Sequence, residues 1–359
     1  MKRIGILTSG GDCQGLNAAI RGVGKTFCEL LGDKVKIFGI QDGYKGLIEG
    51  NYIPMKQMDF SGILTLGGTI LGTSRQPFKQ MRVLDENNID KVTKMKETYK
   101  KMKLDCLVIL GGNGTHKTAN LLSEEGLNII TLPKTIDNDL WGTEMTFGFN
   151  SAVEIATNVI DCIHTTATSH GRVFIVEIMG HKVARKDAVR WLGSDGADVI
   201  LLPEIPYDIN KVVDSLYLRT GQGKRFCILA VAEGALSKKE AEMSKKEFKA
   251  SRANMSFPSV SYRVAHEIVE LTGREVRVTV PGHFQRGGGP CPYDRLLATR
   301  FGTAAVRLIE EGNFGNMVAL QNGNIVAVPL SEVAGKLKYV PKDSNIIQSA
   351  RDVGICFGD

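Results

Sequence analysis

Short apolar runs alternate with longer amphipathic segments from the first residues of the chain. The run "RIGIL" precedes "GLNAAIRGVGKTFCELL", in which Leu16, Ile20, Val23, Phe27 and Leu30 recur at helical spacings of three and four. Further near-continuous apolar runs predict strands: "VKIFGI", "CLVIL", "NIITL", "RVFIVEI", "DVILLPE" and "FCILAVAEG". Strands that are apolar on both faces are typical of parallel sheets covered by helices on each side. The pattern therefore predicts an α/β fold with doubly wound, mostly parallel sheets.

Net charge and cysteine content indicate which classes of protein the chain can belong to. The formal net charge of +6 is modest and spread along the chain, which favours an anionic small molecule over nucleic acid or a membrane surface. The Lys-rich residues 236–257 predict a solvated surface insertion. The seven cysteines form no CxxC pair, and no apolar run reaches membrane-spanning length. We therefore expect a soluble cytoplasmic protein that binds neither nucleic acid nor membrane.

Glycine-rich turns follow two of the predicted strands. Both "SGGDCQGLNAAI" and "LGGNGTHKTA" read as strand, glycine turn and helix. A helix N-terminus offers unpaired N–H groups, and adjacent glycines let phosphate oxygens approach them. Neither segment is a Walker A sequence or a GxGxxG fingerprint, so each alone is equally compatible with a tight structural turn. Together they suggest a site for a nucleotide or polyphosphate.

Acidic and basic side chains occupy other predicted loops. In "PKTIDND", an extended backbone would point Asp137 and Asp139 into one cavity, one as proton acceptor and one near a metal ion. The alternative is an Asx turn at Asn138. His283 and Arg286 precede a glycine run and suit a sugar phosphate. Three more arginines stand at loop or strand starts, where each alone is more often a surface charge: Arg75, Arg172 and Arg277.

In combination these motifs resemble the 6-phosphofructokinase family. The segments "ILTSGGDCQGLNAAIRG", "GGTILGTSR", "GGNGT", "PKTIDND", "TFGFNSAVE", "IVEIMG" and "TVPGHFQRGG" occur in the family's order over nearly the whole chain. The resemblance implies two similar domains of phosphofructokinase-like fold. It also implies phosphorylation of fructose 6-phosphate at its 1-hydroxyl with ATP and Mg²⁺, the committing step of glycolysis. The chain ending and the Lys-rich insertion are similar to a longer bacterial branch that mixes features of ATP-using and pyrophosphate-using enzymes.

The resemblance implies roles for individual residues. Asp137 would be the base that takes the hydroxyl proton, and the other catalytic residues would be Thr135, Asp139 and Arg75. The donor phosphates would be held by Gly11, Arg75, Gly112, Asn113, Gly114, Thr115 and Lys134. The sugar phosphate would contact Thr135, Asp137, Arg172, Met179, Gly180, His181, Glu233, Arg277, His283 and Arg286. Asn113 and Asp139 would lie at the Mg²⁺ ion.

The distribution of these residues predicts domains and assembly. Donor loops cluster early, which suggests a phosphoryl-donor domain of residues 1–148 plus about 285–335. Sugar-side residues cluster later, which suggests a sugar-phosphate domain of residues 149–284 plus about 336–359. In the family, Arg172 and Arg277 reach in from a neighbouring subunit. The resemblance therefore implies a homo-oligomer, either a dimer or a tetramer.

Two departures from the family pattern concern catalysis. Asn113 stands where the family usually has a magnesium-associated aspartate. Its amide keeps the oxygen acceptor without the charge, so we expect a raised magnesium requirement, which Asn113→Asp should lower. His181 replaces the usual arginine.

The identity of the phosphoryl donor depends on two positions. In the family, an aspartate at the position of Gly114 marks pyrophosphate users, and a lysine at the position of Lys134 accompanies them. Glycine opens space that ATP requires, whereas Lys134 is a flexible cation that suits either polyphosphate, so ATP is the expected donor. The alternatives are a pyrophosphate-dependent phosphotransferase and a sugar-phosphate-binding subunit that has lost catalysis.

Overall fold

The structure, a computed structural model, describes residues 1–180, 196–339, 341 and 343–359. The chain divides into two units. Unit 1 comprises Met1–Ala152 and Arg286–Lys338, and unit 2 comprises Val153–Gln285 and Tyr339–Asp359. Each unit has its own largely parallel sheet with helices, which confirms the predicted α/β class. The donor and sugar labels given to the two domains stay predictions.

The described strands follow the apolar runs of the sequence. In chain order they are β1 (Lys2–Thr8), β2 (Val35–Ile40), β3 (Tyr52–Met55), β4 (Cys106–Gly111), β5 (Ile129–Pro133), β6 (Val173–Ile178), β7 (Val199–Leu201), β8 (Cys227–Ala232), β9 (Val276–Thr279), β10 (Asn316–Gln321) and β11 (Asn324–Pro329). Unit 1 has a seven-stranded sheet in the order β11-β10-β5-β4-β1-β2-β3, and unit 2 has a four-stranded sheet in the order β7-β8-β6-β9. Among the strands that the structure describes, only the edge strands β3 and β11 run antiparallel to their neighbours.

Helices connect these strands. They are α1 (Leu16–Leu31), α2 (Tyr44–Glu49), α3 (Lys91–Lys101), α4 (Asn113–Glu124), α5 (Phe149–His170), α6 (Ile209–Gly221), α7 (Lys238–Ala241), α8 (Lys245–Ala253), α9 (Val260–Thr272), α10 (Pro292–Glu310), α11 (Leu330–Val333) and α12 (Asn345–Asp352). Short 3₁₀ helices cover Gly32–Lys34, Gln57–Phe60, Phe78–Gln80 and Gly282–Arg286. In the described part of the chain, no helix is long and apolar enough to cross a membrane.

The predicted helix face of α1 is buried over most of its length. Leu16, Ile20, Val23 and Phe27 are fully buried, whereas Leu30 in the last turn is 57% exposed. Leu30 lies in the last turn, beyond the part of α1 whose apolar stripe packs against the rest of unit 1. The predicted stripe is therefore correct except for its last member.

The sheet of unit 2 shows why its strands read as continuous apolar runs. Along β6, Val173 and Ile175 belong to the core on one face, while Phe174 and Val176 belong to the core on the other. Successive side chains of a strand point to opposite faces, so a sheet covered on both sides needs an apolar residue at every position. The parallel arrangement follows directly from this pattern.

The antiparallel edge of unit 1 is a hairpin that we did not predict. Strands β10 and β11 pair from Asn316↔Pro329 to Gln321↔Asn324, which leaves a two-residue turn. Asn322 and Gly323 form this turn with φ values of 50° and 76°. Positive φ at both positions is the geometry that an Asn-Gly hairpin requires. The sequence signal for this hairpin was therefore present.

The Lys-rich insertion differs from the prediction at one residue. Helices α7 and α8 are largely solvent-facing, but the side chain of Glu240 is 5% exposed. Its carboxylate accepts hydrogen bonds from Arg263 Nη1 at 2.7 Å and from Ser237 N at 3.0 Å, and Arg252 Nε lies 2.8 Å away. Burial alone would raise the pKa of Glu240, but the bonds from Arg263 and Ser237 lower it to about 2. The insertion is therefore anchored through a buried carboxylate.

Replacing Glu240 should destabilise the folded protein. Glu240→Gln removes the carboxylate shared by Arg252 and Arg263, with Glu267 still 3.8 Å from Arg263 Nε, and we expect a loss of about 3 kcal/mol in the free energy of unfolding. The pKa of Glu240 is below its ordinary value of 4.5, so the carboxylate stabilises fully above pH 4.5. This contribution is lost as the pH falls towards 2. Urea denaturation of Glu240→Gln and of the exposed control Glu242→Gln measures the effect, and equal losses in both would contradict it.

Candidate functional site

The carboxyl ends of the central strands of unit 1 meet at a cavity of about 400 Å³. Ligands of open α/β sheets bind at this edge, beyond the ends of the parallel strands. The cavity is lined by Ser9, Gly10, Gly11, Tyr44, Arg75, Gln76, Pro77, Phe78, Gly112, Asn113, Gly114, Thr115, Lys134, Thr135, Asp137, Asp139 and Arg286. The structure thus brings together all the residues that we assigned to the donor and to catalysis.

Two glycines shape the donor side of this cavity. A Cβ atom at Gly11 would lie 2.9 Å from Arg286 Nη1, so glycine allows the guanidinium to approach the backbone. A Cβ atom at Gly114 would meet no atom within 4 Å. Gly114 lies in the first turn of α4, where backbone N–H groups have no intrahelical partner. An anion therefore finds both amide donors and open space at this helix end.

The cations of the cavity are held by the backbone. The Lys134 ammonium donates to the carbonyl oxygen of Gly11, and Arg286 Nη1 donates to Asp12 O at 2.9 Å. Lys134 is 4% exposed, and this burial lowers its pKa. Our description of Lys134 as a flexible cation is therefore wrong, because the buried side chain is fixed below the glycine turn. Arg286 lies in this cavity, and its assignment to the 6-phosphate stays a prediction.

The acid loop, residues 135–139, turns sharply at Asn138. Asn138 has a φ of 49°, so the extended backbone that we expected there is wrong. Its Oδ1 accepts from Thr146 N at 3.0 Å and its Nδ2 donates to Glu144 O at 3.1 Å. The Thr135 hydroxyl accepts from Asp137 N at 3.1 Å. The turn is held by these hydrogen bonds, and Asp137 and Asp139 still line the same cavity.

The acid loop fits a divalent cation. Burial, together with the charge of Asp137, raises the pKa of Asp139 to about 6. A cation beside Asp139 would relieve both effects. Among the described residues, no group of three His, Cys, Asp or Glu side chains forms a complete metal site. Mg²⁺ prefers oxygen ligands and keeps several waters, so Asp139, Asp137 and the Asn113 amide oxygen suit an ion shared with phosphate.

Three of the predicted sugar-binding residues lie together in unit 2. Met179 and Gly180 follow β6, and Glu233 follows β8. The amide of Glu233 donates to Ile178 O at 2.9 Å, and the amide of Gly234 donates to Gly180 O at 3.2 Å. His283 lies on the 3₁₀ helix Gly282–Arg286.

Arg172 and Arg277 lie at the opposite end of this sheet. Arg172 precedes β6, and Arg277 is near the start of β9, paired with Phe174. Both guanidinium groups contact Glu275, with Arg172 Nε 2.6 Å from its carboxylate. At about 3.3 Å per residue, β6 separates Arg172 from Met179 by about 20 Å. These arginines therefore do not join Met179 within one chain, and His181 lies outside the described residues.

The chain is similar to proteins of one known family. The family model described as Phosphofructokinase matches residues 3–309. The chain belongs to the phosphofructokinase family. A Spirochaeta thermophila protein named ATP-dependent 6-phosphofructokinase is 57% identical over 100% of this chain and 98% of its own length. A protein of the same name from Propionibacterium freudenreichii is 45% identical, covering 99% of each chain.

Solved phosphofructokinase structures share the fold. The structure from Saccharomyces cerevisiae matches 92% of this chain with a TM-score of 0.78 and 29% identity. The present chain spans 45% of that yeast chain. A pyrophosphate-dependent phosphofructokinase from Nitrosospira multiformis matches 100% of this chain and 93% of its own, with a TM-score of 0.82. Its identity is 20%, so this second likeness concerns the fold only.

Sequence reasoning missed several residues of this phosphofructokinase cavity. Tyr44 donates its hydroxyl to Thr115 O at 2.9 Å, which supports the first turn of α4 from below. No local signal identifies Tyr44, because the contact joins distant parts of the chain. Phe78 lies on the cavity with 41% of its surface exposed, next to Gln76 and Pro77. The segment "SRQPF", which contains Arg75, carried a signal for Phe78, an aromatic residue in a polar loop.

Removing the Asp139 charge should stabilise the ligand-free protein. The pKa of Asp139 rises from 3.8 to about 6 on folding, so the folded state binds the proton more tightly. The wild type therefore loses stability as the pH rises from 3.8 to 6. Asp139→Asn avoids this loss, and we expect a gain of about 1–3 kcal/mol at pH 8 and a smaller gain at pH 5.

Urea denaturation at both pH values, without divalent ions, measures this gain. The exposed Asp33 provides a matched control, since Asp33→Asn removes the same charge from the surface. A gain for Asp139→Asn that does not grow between pH 5 and pH 8 would refute the interpretation.

Proposed function

We propose that this protein is an ATP-dependent 6-phosphofructokinase, which transfers the γ-phosphoryl group of ATP to the 1-hydroxyl of fructose 6-phosphate. The observation that carries the proposal is one cavity lined by two glycine turns, three cations and an aspartate pair. The two relatives named ATP-dependent 6-phosphofructokinase support the proposal, since the matches extend over 98–99% of their lengths. The product is fructose 1,6-bisphosphate.

The residues of the cavity have different roles in phosphoryl transfer. The reaction depends mainly on positioning and on neutralising the charge of the transferred group. Arg75, Lys134 and Arg286 supply positive charge, and the α4 N-terminus supplies amide donors. Asp137 takes the proton of the attacking hydroxyl. When bound, Mg²⁺ neutralises the donor phosphates.

Two features favour ATP over pyrophosphate. The open space at Gly114 leaves room for the nucleoside side of a triphosphate. The exposed ring of Phe78 offers a flat surface that a nucleobase can use and pyrophosphate cannot. Lys134, the one signal for pyrophosphate, donates to the carbonyl of Gly11 and so has a structural role with either donor.

The proposed function also concerns the oligomeric state of the protein and its location in the cell. Arg172 and Arg277 lie far from Met179 within unit 2, so a sugar-phosphate site that uses all three needs a second copy of the chain. We therefore propose a homo-oligomer, a dimer or a tetramer, in the cytoplasm. All seven cysteines lie in the described part of the chain, and none forms a disulfide, which suits a reducing compartment.

The function is tested by turnover of the purified protein with fructose 6-phosphate and each donor. We expect ATP with Mg²⁺ to support turnover and pyrophosphate to support little. Asp137→Asn should keep substrate binding and lower turnover by about two to four orders of magnitude, the usual effect of losing a general base. Faster turnover with pyrophosphate would favour the phosphotransferase alternative. No turnover with either donor would favour the binding subunit.

The role of Phe78 gives a separate test of the donor. Base–aromatic stacking contributes about 1–3 kcal/mol, so Phe78→Ala should raise the KM for ATP about tenfold. Phe78→Tyr keeps the ring and should behave like the wild type. The affinity for pyrophosphate, measured as inhibition, should not change in either variant. Equal weakening of ATP and pyrophosphate in Phe78→Ala would mean that the ring supports the loop and not the nucleobase.

A further inference from the structure

A short segment late in the chain crosses the catalytic side of unit 1. We name residues 335–338 the strap. The side-chain amide of Asn113, the first residue of α4, donates from Nδ2 to the carbonyl oxygen of Lys336 at 2.7 Å. The two residues are 223 positions apart in the sequence. The strap is thus attached directly to the donor loop.

The other end of the strap is attached to the acid loop. The amide of Lys338 donates to Asp139 O at 2.9 Å, and Leu337 forms an antiparallel bridge with Leu140. The Lys338 ammonium also donates to Asn138 Oδ1 at 3.1 Å and to Thr143 O at 2.9 Å. The strap therefore connects the first turn of α4 to the backbone of Asp139.

The chemistry of this connection requires a hydrogen-bond donor at position 113. The partner is a backbone carbonyl, which can only accept a hydrogen bond. An ionised aspartate has no donor, and its charge would face the carbonyl oxygen of Lys336. Asparagine is nearly the same size and supplies the N–H group. This contact accounts for an uncharged residue at a position where a carboxylate would otherwise suit a magnesium site.

We propose that Asn113 is a positioning residue, which holds the strap and thereby fixes the acid loop relative to the donor loop during phosphoryl transfer. The inference rests on the proposed function for its kinetic consequences. It differs from a metal-binding role, because the amide nitrogen, not the oxygen, makes the contact with Lys336. Small displacements between the phosphoryl donor and acceptor groups have large effects on rate. We therefore expect loss of this hydrogen bond to lower the turnover number.

Hydrogen exchange tests the strap without reference to the reaction. In Asn113→Asp and Asn113→Ala, we expect the amide of Lys338 to exchange about five- to tenfold faster, since a bond that holds its segment is lost. The matched control is Asn128→Asp. Asn128 Nδ2 donates to the carbonyl oxygen of Asp105 at 2.9 Å, next to the amino end of β5 and away from the cavity. The control should leave exchange at Lys338 unchanged.

Steady-state kinetics test the expected effect of this hydrogen bond on turnover. Both Asn113 variants should lower kcat about tenfold, an effect typical of misplaced reacting groups, while the KM for fructose 6-phosphate stays within about twofold. Asn113→Gln keeps an amide donor and should recover part of kcat. Asn128→Asp should retain wild-type kcat.

The outcomes separate this inference from the proposed function. Wild-type turnover with ATP tests the function, whereas exchange at Lys338 tests the strap whether or not turnover is seen. Unchanged exchange at Lys338 in both Asn113 variants would overturn the inference. A lowered magnesium requirement in Asn113→Asp with unchanged exchange would also overturn it, in favour of a metal-binding role.

Discussion

The buried ammonium of Lys134 is the contact on which the geometry of the cavity depends. Its side chain donates to the carbonyl of Gly11 after β1, and its backbone amide donates to Gly111 O at 2.9 Å at the end of β4. Lys134 itself follows β5 and directly precedes the acid loop. One residue thus joins the loops of three neighbouring strands. Burying a charge is costly unless polar partners surround it, so the lysine stays charged only if these loops stay together.

The same arrangement prepares the cavity for an anionic ligand. Lys134 and Arg286 both donate to carbonyl oxygens of the glycine turn, which fixes their charges before any phosphate arrives. Groups that are already oriented need little reorganisation as charge develops. Asp139 differs from these two cations. Its raised pKa indicates that the ionised carboxylate is poorly stabilised in the ligand-free site. The ionised Asp139 therefore lowers the stability of the ligand-free site, and a bound cation would offset this cost.

The sequence predicted most strands because these depend on local patterns, whereas most residues of the cavity were assigned through the family resemblance. Apolar runs identified the strands, and glycine turns after them marked the donor loops. Asn322 and Gly323 carried an equally local hairpin signal that we overlooked. Tyr44 and the bond between Asn113 and Lys336 were beyond prediction, because each contact joins segments whose proximity only the fold creates. Asn138 lies between these cases: the expected extended backbone is wrong, and the side chain bonds to Thr146 N and Glu144 O, eight and six residues further along, which the local pattern does not reveal.

The asparagines of the site also control its charge. Among the described lining residues of the cavity are three cations, Arg75, Lys134 and Arg286, and two carboxylates, Asp137 and Asp139, which leaves an excess of one positive charge. Aspartate at position 113 would cancel this excess and weaken the attraction for phosphate. Asn138 separates the two carboxylates, and its amide donates to Glu144 O, which a third carboxylate could not do. Both asparagines therefore meet two demands at once, since each donates a hydrogen bond to a backbone carbonyl and each keeps the cavity positive.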